Sequence, residues 1–179
     1  MDTLNVILDE IISVLSKVDR NQMEEIVNFI NKDIRIFVDG EGRSGLMSKG
    51  FAMRLMHLGY EVYVVGETIN PAVKKGDIYF SVSGSGESEN VILNTKKAKV
   101  KGCCIISVTS KPQSTLSSLS DKLIIVPGST KGDTGEQRNS IQLLSSLFDQ
   151  SIHIVLDAVC LMLSKKENIS NCEATTRHW

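Results

Sequence analysis

A turn rich in serine and glycine stands in the middle of the chain, between an apolar run and a segment with helical spacing. Its six residues are Ser83-Gly84-Ser85-Gly86-Glu87-Ser88, and the apolar run before it covers residues 78–82. Backbone N–H groups in the first turn of a helix have no partner, and the helix dipole adds partial positive charge there. Glycines let the backbone approach a ligand, and serine hydroxyls supply neutral donors. The turn therefore predicts a phosphate-binding loop, which we call the serine loop.

A second glycine-rich turn, Asp39–Gly45, follows an earlier apolar run. It matches the G-x-G-x-x-G pattern of dinucleotide sites, and Glu67 lies about twenty residues further on, where that pattern places an acid for the ribose. A nicotinamide cofactor is thus one interpretation. Arg43 and Ser44, however, stand where a dinucleotide site leaves room for pyrophosphate. Two serine-bearing turns at neighbouring strand ends favour one compact phosphate held from two sides, although either turn alone could simply close a tight connection.

The elements that would position these turns alternate between short β-rich runs and helical segments. The β-rich runs are residues 34–38, 61–65, 78–82, 103–108 and 122–126. The helical segments are approximately 45–58, 87–100, 114–119 and 140–164. This order predicts a doubly wound α/β domain, a three-layer αβα sandwich with a five-stranded parallel sheet of the flavodoxin or Rossmann type. Ligands in such domains bind beyond the carboxyl ends of the strands, where both glycine-rich turns would lie.

The rest of the chain predicts a helical extension and a tail around this core. Residues 2–32 carry two apolar stripes with helical spacing, so we expect two helices and an oligomer interface. We assign residues 1–33 to this extension, 34–165 to the core and 166–179 to a polar tail of one single domain. The long turn at 127–139 is expected to be mobile and to fold over a site.

Composition favours an ordinary cytoplasmic protein. The chain has 179 residues, 41% of them hydrophobic and 23% charged, with a net charge of −1, which leaves no basic excess for nucleic acid. Polar residues interrupt the apolar stretches well short of a membrane span, and the N-terminus lacks the layout of a signal peptide. The four cysteines contain no Cys-x-x-Cys pair, so we expect free thiols rather than a metal site. Adjacent Cys103 and Cys104 should point to opposite faces of a strand.

Several segments together resemble the sugar isomerase (SIS) domain family, over nearly the whole chain. They are Gly42–Met47, Phe51–Gly59, Val65–Glu67, the serine loop, Ser140–Gln142, Leu147–Gln150 and Arg177–His178. The serine loop is typical of the whole family, whereas Phe51–Gly59 and the Gly66-Glu67 pair are most similar to its 6-phospho-3-hexuloisomerase branch. The resemblance implies an isomerase that interconverts 3-hexulose 6-phosphate and fructose 6-phosphate through a cis-enediol, in the ribulose monophosphate pathway of formaldehyde fixation. It further implies no metal or organic cofactor, and a homotetramer or dimer of dimers with sites near subunit boundaries.

The resemblance also assigns roles to residues. The implied phosphate ligands are the side chains of Ser44, Ser83, Ser85 and Ser88 and the backbone N–H groups of Gly84 and Gly86. Four residues are candidates for proton transfer in the active site: Glu67, Asp149, His57 and His178.

Each candidate for proton transfer has a plainer alternative. Glu67 ends the second β-rich run, where a cap or an ion pair would also explain it. A carboxylate at Asp149, within an apolar helix, is costly unless paired or used, and the family usually has the longer Glu there. His57 could cap its helix, and His178, in the tail, could be solvated or reach a neighbouring subunit's site. Two other functions are left open, a non-catalytic sugar-phosphate sensor and an isomerase of a pentose or heptose phosphate.

Overall fold

The computed structural model describes residues 2–179 and has a five-stranded parallel sheet with helices on both faces. The strands are β1 Ile36–Gly40, β2 Val62–Val64, β3 Ile78–Val82, β4 Cys104–Thr109 and β5 Lys122–Ile125. The helices are α1 Thr3–Ser16, α2 Arg20–Phe29, α3 Gly42–His57, α4 Glu89–Val100, α5 Thr115–Leu119, α6 Ser146–Lys166 and α7 Asn171–Thr175. The predicted αβα fold is confirmed, and α7 adds a short helix to the segment that we expected to be a polar tail.

All strand pairs are parallel, so the carboxyl ends of the five strands lie at one edge of the sheet. The strand order is β2-β1-β3-β4-β5, and Val38 of β1 stands between Val64 of β2 and Phe80 of β3. The chain therefore leaves β1 in one direction across the sheet and β3 in the other. The turns after β1 and β3 open at this switch point, which is where doubly wound sheets bind ligands.

Side chains that alternate along the strands separate the two layers of helices. Ile36 and Val38 belong to a large buried cluster with residues of α1, α2, α3 and α6, whereas Phe37 belongs to a smaller cluster beside α4. The N-terminal helices thus pack on the same face of the sheet as α3 and α6. Cys103 lies in the smaller cluster and Cys104 packs against the larger one, which confirms that they face opposite sides. The cysteines are free thiols, while the cytoplasmic location stays a prediction.

The last long helix begins later than its sequence pattern predicts. We expected a helix from residue 140, but α6 begins at Ser146. Leu144 has a φ of 53°, in the left-handed region that side chains disfavour and that a right-handed helix excludes. The helix therefore cannot extend back through Leu144. Residues Ser140–Ser145 form an irregular approach to α6, which we call the entry segment.

α6 is long and apolar enough to cross a membrane by length and composition, which corrects the expectation that every apolar stretch is too short. It lies in the core of the domain instead, where Phe148, Ile152 and Val159 are fully buried. The helix packs against α1, α2 and α3. Its polar residues Asp149 and Ser151 are buried as well. Burial inside the protein accounts for the apolar character of this helix.

Candidate active site

Three helices begin at the carboxyl edge of the sheet without a side-chain cap, α3, α4 and α6. The four other α-helices are capped by the side chains of Asp2, Asp19, Ser114 and Ser170. The uncapped helices begin close together, because Asn90 of α4 donates to Glu41 before α3 (2.6 Å) and Arg43 of α3 donates to Ser146 of α6 (2.7 Å). Unpartnered N–H groups and the positive ends of three helix dipoles converge there. This arrangement favours a bound anion.

The serine loop connects β3 to α4 and carries its hydroxyls close together. Oγ of Ser83, which is 2% exposed, lies 2.9 Å from Oγ of Ser88, the residue before α4. Ser85 is half-buried, and its Oγ accepts the N–H of Glu87 at 3.1 Å, which leaves its own proton available to a ligand. The N–H of Gly86 donates to the carbonyl of Ser83 at 3.1 Å. This predicted phosphate ligand is therefore engaged inside the turn, because the loop closes tightly on itself.

The serine loop requires glycine at two positions, because neighbouring side chains leave no space there for a Cβ atom. A Cβ at Gly84 would lie 2.9 Å from Cδ1 of Phe148 in α6, and one at Gly86, where φ is +68°, would collide with Ser114. The carbonyl of Gly84 accepts both the hydroxyl (2.8 Å) and the N–H (3.1 Å) of Ser110 at the end of β4. Packing and hydrogen bonds therefore hold the loop in one conformation.

Glu87, the carboxylate of the serine loop, is held by a neighbouring helix. Its Oε1 accepts the N–H of Thr115 at the start of α5, at 2.7 Å. This hydrogen bond keeps the pKa of Glu87 below its usual value. Because the carboxylate is directed to α5, its charge is drawn away from the cluster of hydroxyls.

The structure brings Asp149 to the start of α3. The carboxylate lies in the first turn of α6, is 2% exposed, and accepts the hydroxyl of Ser44 at Oδ1, over 2.6 Å. Burial raises the pKa of Asp149, and the hydrogen bond from Ser44 and the charge of Arg43 partly oppose that rise. A carboxyl group with a raised pKa beside an anion site has the properties of a general base. Ser44 directs its proton to Asp149, so it offers a ligand its backbone N–H rather than the hydroxyl proton that the sequence suggested.

Glu67 lies at the side of this site. It follows β2, an edge strand that β1 separates from β3 and the serine loop. Its side chain is 56% exposed and pairs with Lys49 of α3 over 3.5 Å. The ion pair is the plainer of the two sequence interpretations, and the catalytic role of Glu67 stays a prediction.

His57 and His178 lie together, far from the serine loop of their own chain. His57 ends α3, thirteen residues after Ser44, which corresponds to about 20 Å of helix. It is buried, its ring centroid is 5.1 Å from that of His178, and burial together with the charge of Arg54 lowers its pKa. Arg177 holds the tail there by donating to the carbonyl of His57 at 3.3 Å. Within one chain these histidines do not reach the phosphate loop, so their catalytic role stays a prediction that requires a second subunit.

The turn at 127–139 is fastened through its buried residues, 128–130 and Asp133, while its mobility and its folding over a site stay predictions. Asp133 accepts Nζ of Lys111 (2.5 Å) and the N–H of Thr130 (2.7 Å), and Arg138 donates to the carbonyl of Thr130 (3.3 Å). Thr130 is 2% exposed and its methyl group packs against the serine loop. Asp133 and Arg138 thus fasten the turn, which its composition does not reveal.

A buried acid near the site was missed in the sequence. Asp39, in β1, is 6% exposed, and its Oδ2 accepts the hydroxyl of Tyr79 at 2.7 Å. Burial raises the pKa of Asp39, opposed by the hydrogen bonds from Tyr79 and Asn94. Its position, directly after an apolar run and at the start of the glycine-rich turn Asp39–Gly45, was the available signal.

Comparison with known proteins identifies the family of this chain. The SIS domain model matches residues 28–154. The chain is 35% identical to the 3-hexulose-6-phosphate isomerase of Bacillus subtilis, over 96% of this chain and 93% of that protein, and 37% identical to that of Mycobacterium gastri, over 99% and 88%. It superposes with a TM-score of 0.82, at 30% identity, on a Methanococcus jannaschii crystal structure from which a 3-hexulose-6-phosphate isomerase function was inferred; the match covers 100% of this chain and 98% of that one. The chain belongs to the SIS domain family.

Proposed function

We propose that this chain is an isomerase that interconverts 3-hexulose 6-phosphate and fructose 6-phosphate. The observation that carries the proposal is the contact between buried Asp149 and Ser44, beside three uncapped helix N-termini. Isomerisation of a phosphorylated ketose needs two parts, a grip on the phosphate and a base near the reacting carbons. The two relatives named 3-hexulose-6-phosphate isomerase support the choice of sugar.

In this proposal the serine loop anchors the substrate by its phosphate. The donors are the hydroxyls of Ser83, Ser85 and Ser88 and the first N–H groups of α4. A hydrogen bond to a charged group contributes about 1.5–3 kcal/mol, so several of them hold the phosphate firmly. Because the phosphate is remote from the reacting carbons, this binding energy serves to position them.

Asp149 acts as the base. Its ionised carboxylate removes the proton from C2 of 3-hexulose 6-phosphate, and the electrons of that bond form the double bond of a cis-enediol while the C3 oxygen takes up a proton. The C2 hydroxyl then loses its proton and becomes the carbonyl, and the protonated Asp149 returns a proton to C3. Every proton that is removed is replaced, so the step needs no oxidant or reductant. The raised pKa of Asp149 favours proton uptake from carbon.

A homotetramer, or a dimer of dimers, completes the active site. Exposed apolar side chains that support such contacts stand on α1 and beside the start of α6: Leu4, Leu8, Ile12, Leu143 and Leu144. A subunit packed over this surface would bring its own Glu67 or its paired His57 and His178 toward the substrate. Light scattering tests the assembly. A monomer at assay concentrations contradicts any shared site.

The decisive assay supplies purified protein with 3-hexulose-6-phosphate synthase, formaldehyde and ribulose 5-phosphate. We expect fructose 6-phosphate to form at a rate proportional to the added protein. Folded protein that produces none above background refutes the proposal. Turnover of a pentose or heptose phosphate, supplied directly to the purified protein, would identify another substrate. A melting temperature raised by fructose 6-phosphate without turnover would identify a sugar-phosphate sensor.

A further inference from the structure

The entry segment, Ser140–Ser145, adopts a conformation that it does not favour by itself. Leu144 is in the left-handed region, with φ of 53°, which costs a non-glycine residue about 1–2 kcal/mol. In the single chain Leu143 is 78% exposed and Leu144 69% exposed, so apolar burial within that chain does not hold them in place. Contacts from outside the segment must therefore maintain its conformation.

Two charged side chains of opposite sign supply those contacts. Glu10 of α1 accepts the N–H of Ile141 (2.7 Å), the hydroxyl of Ser140 (2.7 Å) and the side-chain amide of Gln142 (2.9 Å). Arg138 donates to the carbonyl of Gln142 (2.7 Å) and to that of Leu144 (3.2 Å). Glu10 of α1 thus binds three consecutive residues of the entry segment.

The entry segment is connected to Asp149 by two short routes. The side-chain amide of Gln150 donates to Oε1 of Gln142 at 2.5 Å, and Gln150 is the neighbour of Asp149 in α6. The N–H of Asp149 donates to the carbonyl of Ser145 at 2.9 Å, which is the first helical bond after the segment. A displacement of Gln142 is therefore transmitted to the first turn of α6, where Asp149 meets Ser44.

We propose that Glu10 is a positioning residue for Asp149, acting through Gln142 and the entry segment; this inference rests on the proposed function. Glu10 lies on the N-terminal helix, and its hydrogen bonds go to the entry segment and not to the serine loop or to Ser44. Its effect is on the distance and angle between Asp149 and the substrate carbon. A misplacement of about 1 Å in such a group can lower the rate about 100-fold.

The first test compares Glu10→Ala with Glu25→Ala. Glu25 is a matched control, an exposed acid on α2 that pairs with Lys122 over 2.5 Å away from the entry segment. We expect E10A to lower kcat about tenfold with KM changed less than about twofold, while E25A keeps the wild-type kcat.

The acid limb of the kcat profile should also move to higher pH in E10A. The hydrogen bond from Ser44 lowers the pKa of Asp149, and a lengthened bond lowers it less. Equal kcat in E10A and E25A, or an unmoved acid limb, overturns the inference.

A second test reads the same geometry without substrate. Carbon-13 NMR of aspartate carboxyls, with Asp149→Asn for assignment, follows the titration of Asp149 in wild-type protein, E10A and E25A. We expect a higher midpoint in E10A alone. If the Asp149 midpoint is shifted in E10A but the wild-type protein shows no turnover, the positioning role is supported and the proposed function is refuted. If the midpoint is not shifted but the wild-type protein is active, the proposed function is supported and the positioning role is refuted. If E10A does not fold, Glu10→Gln, which keeps an acceptor oxygen, should show a smaller shift in the same direction, and no shift overturns the inference.

Discussion

Replacing Asp149 by asparagine separates the chemistry at this position from its contribution to folding. Asparagine has nearly the same volume as aspartate, and its side-chain oxygen can still accept the hydroxyl of Ser44, which lies 2.6 Å from Oδ1. The neutral amide cannot remove a proton from carbon. We therefore expect Asp149→Asn to fold and to bind the phosphosugar while turning it over slowly.

The size of the loss follows from the role of the carboxylate. A general base contributes about 10²–10⁴-fold to the rate, which corresponds to about 2.7–5.5 kcal/mol of barrier. In the coupled assay, kcat should fall at least about 100-fold, and KM should stay within about threefold because the serine loop is unchanged. Asp157→Asn is the matched control. It makes the same substitution on the same helix, at a side chain that is 60% exposed and 3.9 Å from Arg54, and it should keep the wild-type kcat.

The same variant has a predictable effect on stability. Because burial raises the pKa of Asp149, the folded state holds that proton more tightly than the unfolded chain does. The wild-type protein therefore loses stability as pH rises through the folded pKa, where the buried group becomes charged. Asp149→Asn carries no such charge, so its free energy of unfolding at pH 7 should equal or exceed that of the wild type. The difference should shrink at lower pH, as measured by urea denaturation.

Three results would refute this reasoning. If Asp149→Asn keeps kcat within about threefold of the wild type, the carboxylate is not the base. If Asp157→Asn loses as much activity as Asp149→Asn, the effect belongs to the helix and not to the site. If the stability difference between Asp149→Asn and the wild type grows as pH falls, the burial argument has the wrong sign.

Three further substitutions test the anchor and the core. Ser83→Ala removes a hydroxyl of the serine loop and should raise KM about tenfold with kcat within about threefold; steady-state kinetics with the opposite pattern contradicts an anchoring role. Asp77→Ala removes the carboxylate to which the guanidinium of Arg35 donates at 2.6 and 2.9 Å. The free energy of unfolding, measured by urea denaturation, should fall by about 2–3 kcal/mol, less than for a fully buried pair because Arg35 is partly exposed. Gly128→Ala places a methyl group 2.7 Å from Cα of Phe148 and should lower the free energy of unfolding by about 1–3 kcal/mol, and an unchanged melting temperature would show that α6 can move aside.

The fold was predictable because its signals are local. Alternation of β-rich and helical segments is a property of neighbouring residues, and it predicted all five strands and their parallel direction. The boundaries were less certain. The start of α6 was placed six residues too early, because the helical pattern continues through residues 140–145 while Leu144 has a φ of 53°, which a right-handed helix excludes.

The candidate site was predictable only in part. The serine loop and the start of α3 are each short motifs, and both lie beyond the carboxyl ends of their strands, as expected; the strand order adds that this place is the switch point of the sheet. Which candidate base faces them was left open, because Ser44 and Asp149 are 105 residues apart in the chain and meet only when α3 and α6 pack together. The same holds for His57 and His178, whose pairing at the far end of α3 has no sign in either local sequence.

The sequence by itself therefore determined the αβα architecture and the serine loop, since both depend on interactions within a few residues. Only the tertiary structure decided which ionisable groups surround that loop. It buries Asp149 against Ser44, leaves Glu67 exposed beside Lys49, and packs Thr130 against the serine loop. These are contacts through space between distant segments. A helix that slid or turned by one residue, a fraction of its repeat of about 5.4 Å, would break these contacts. No local sequence pattern specifies helix packing that closely.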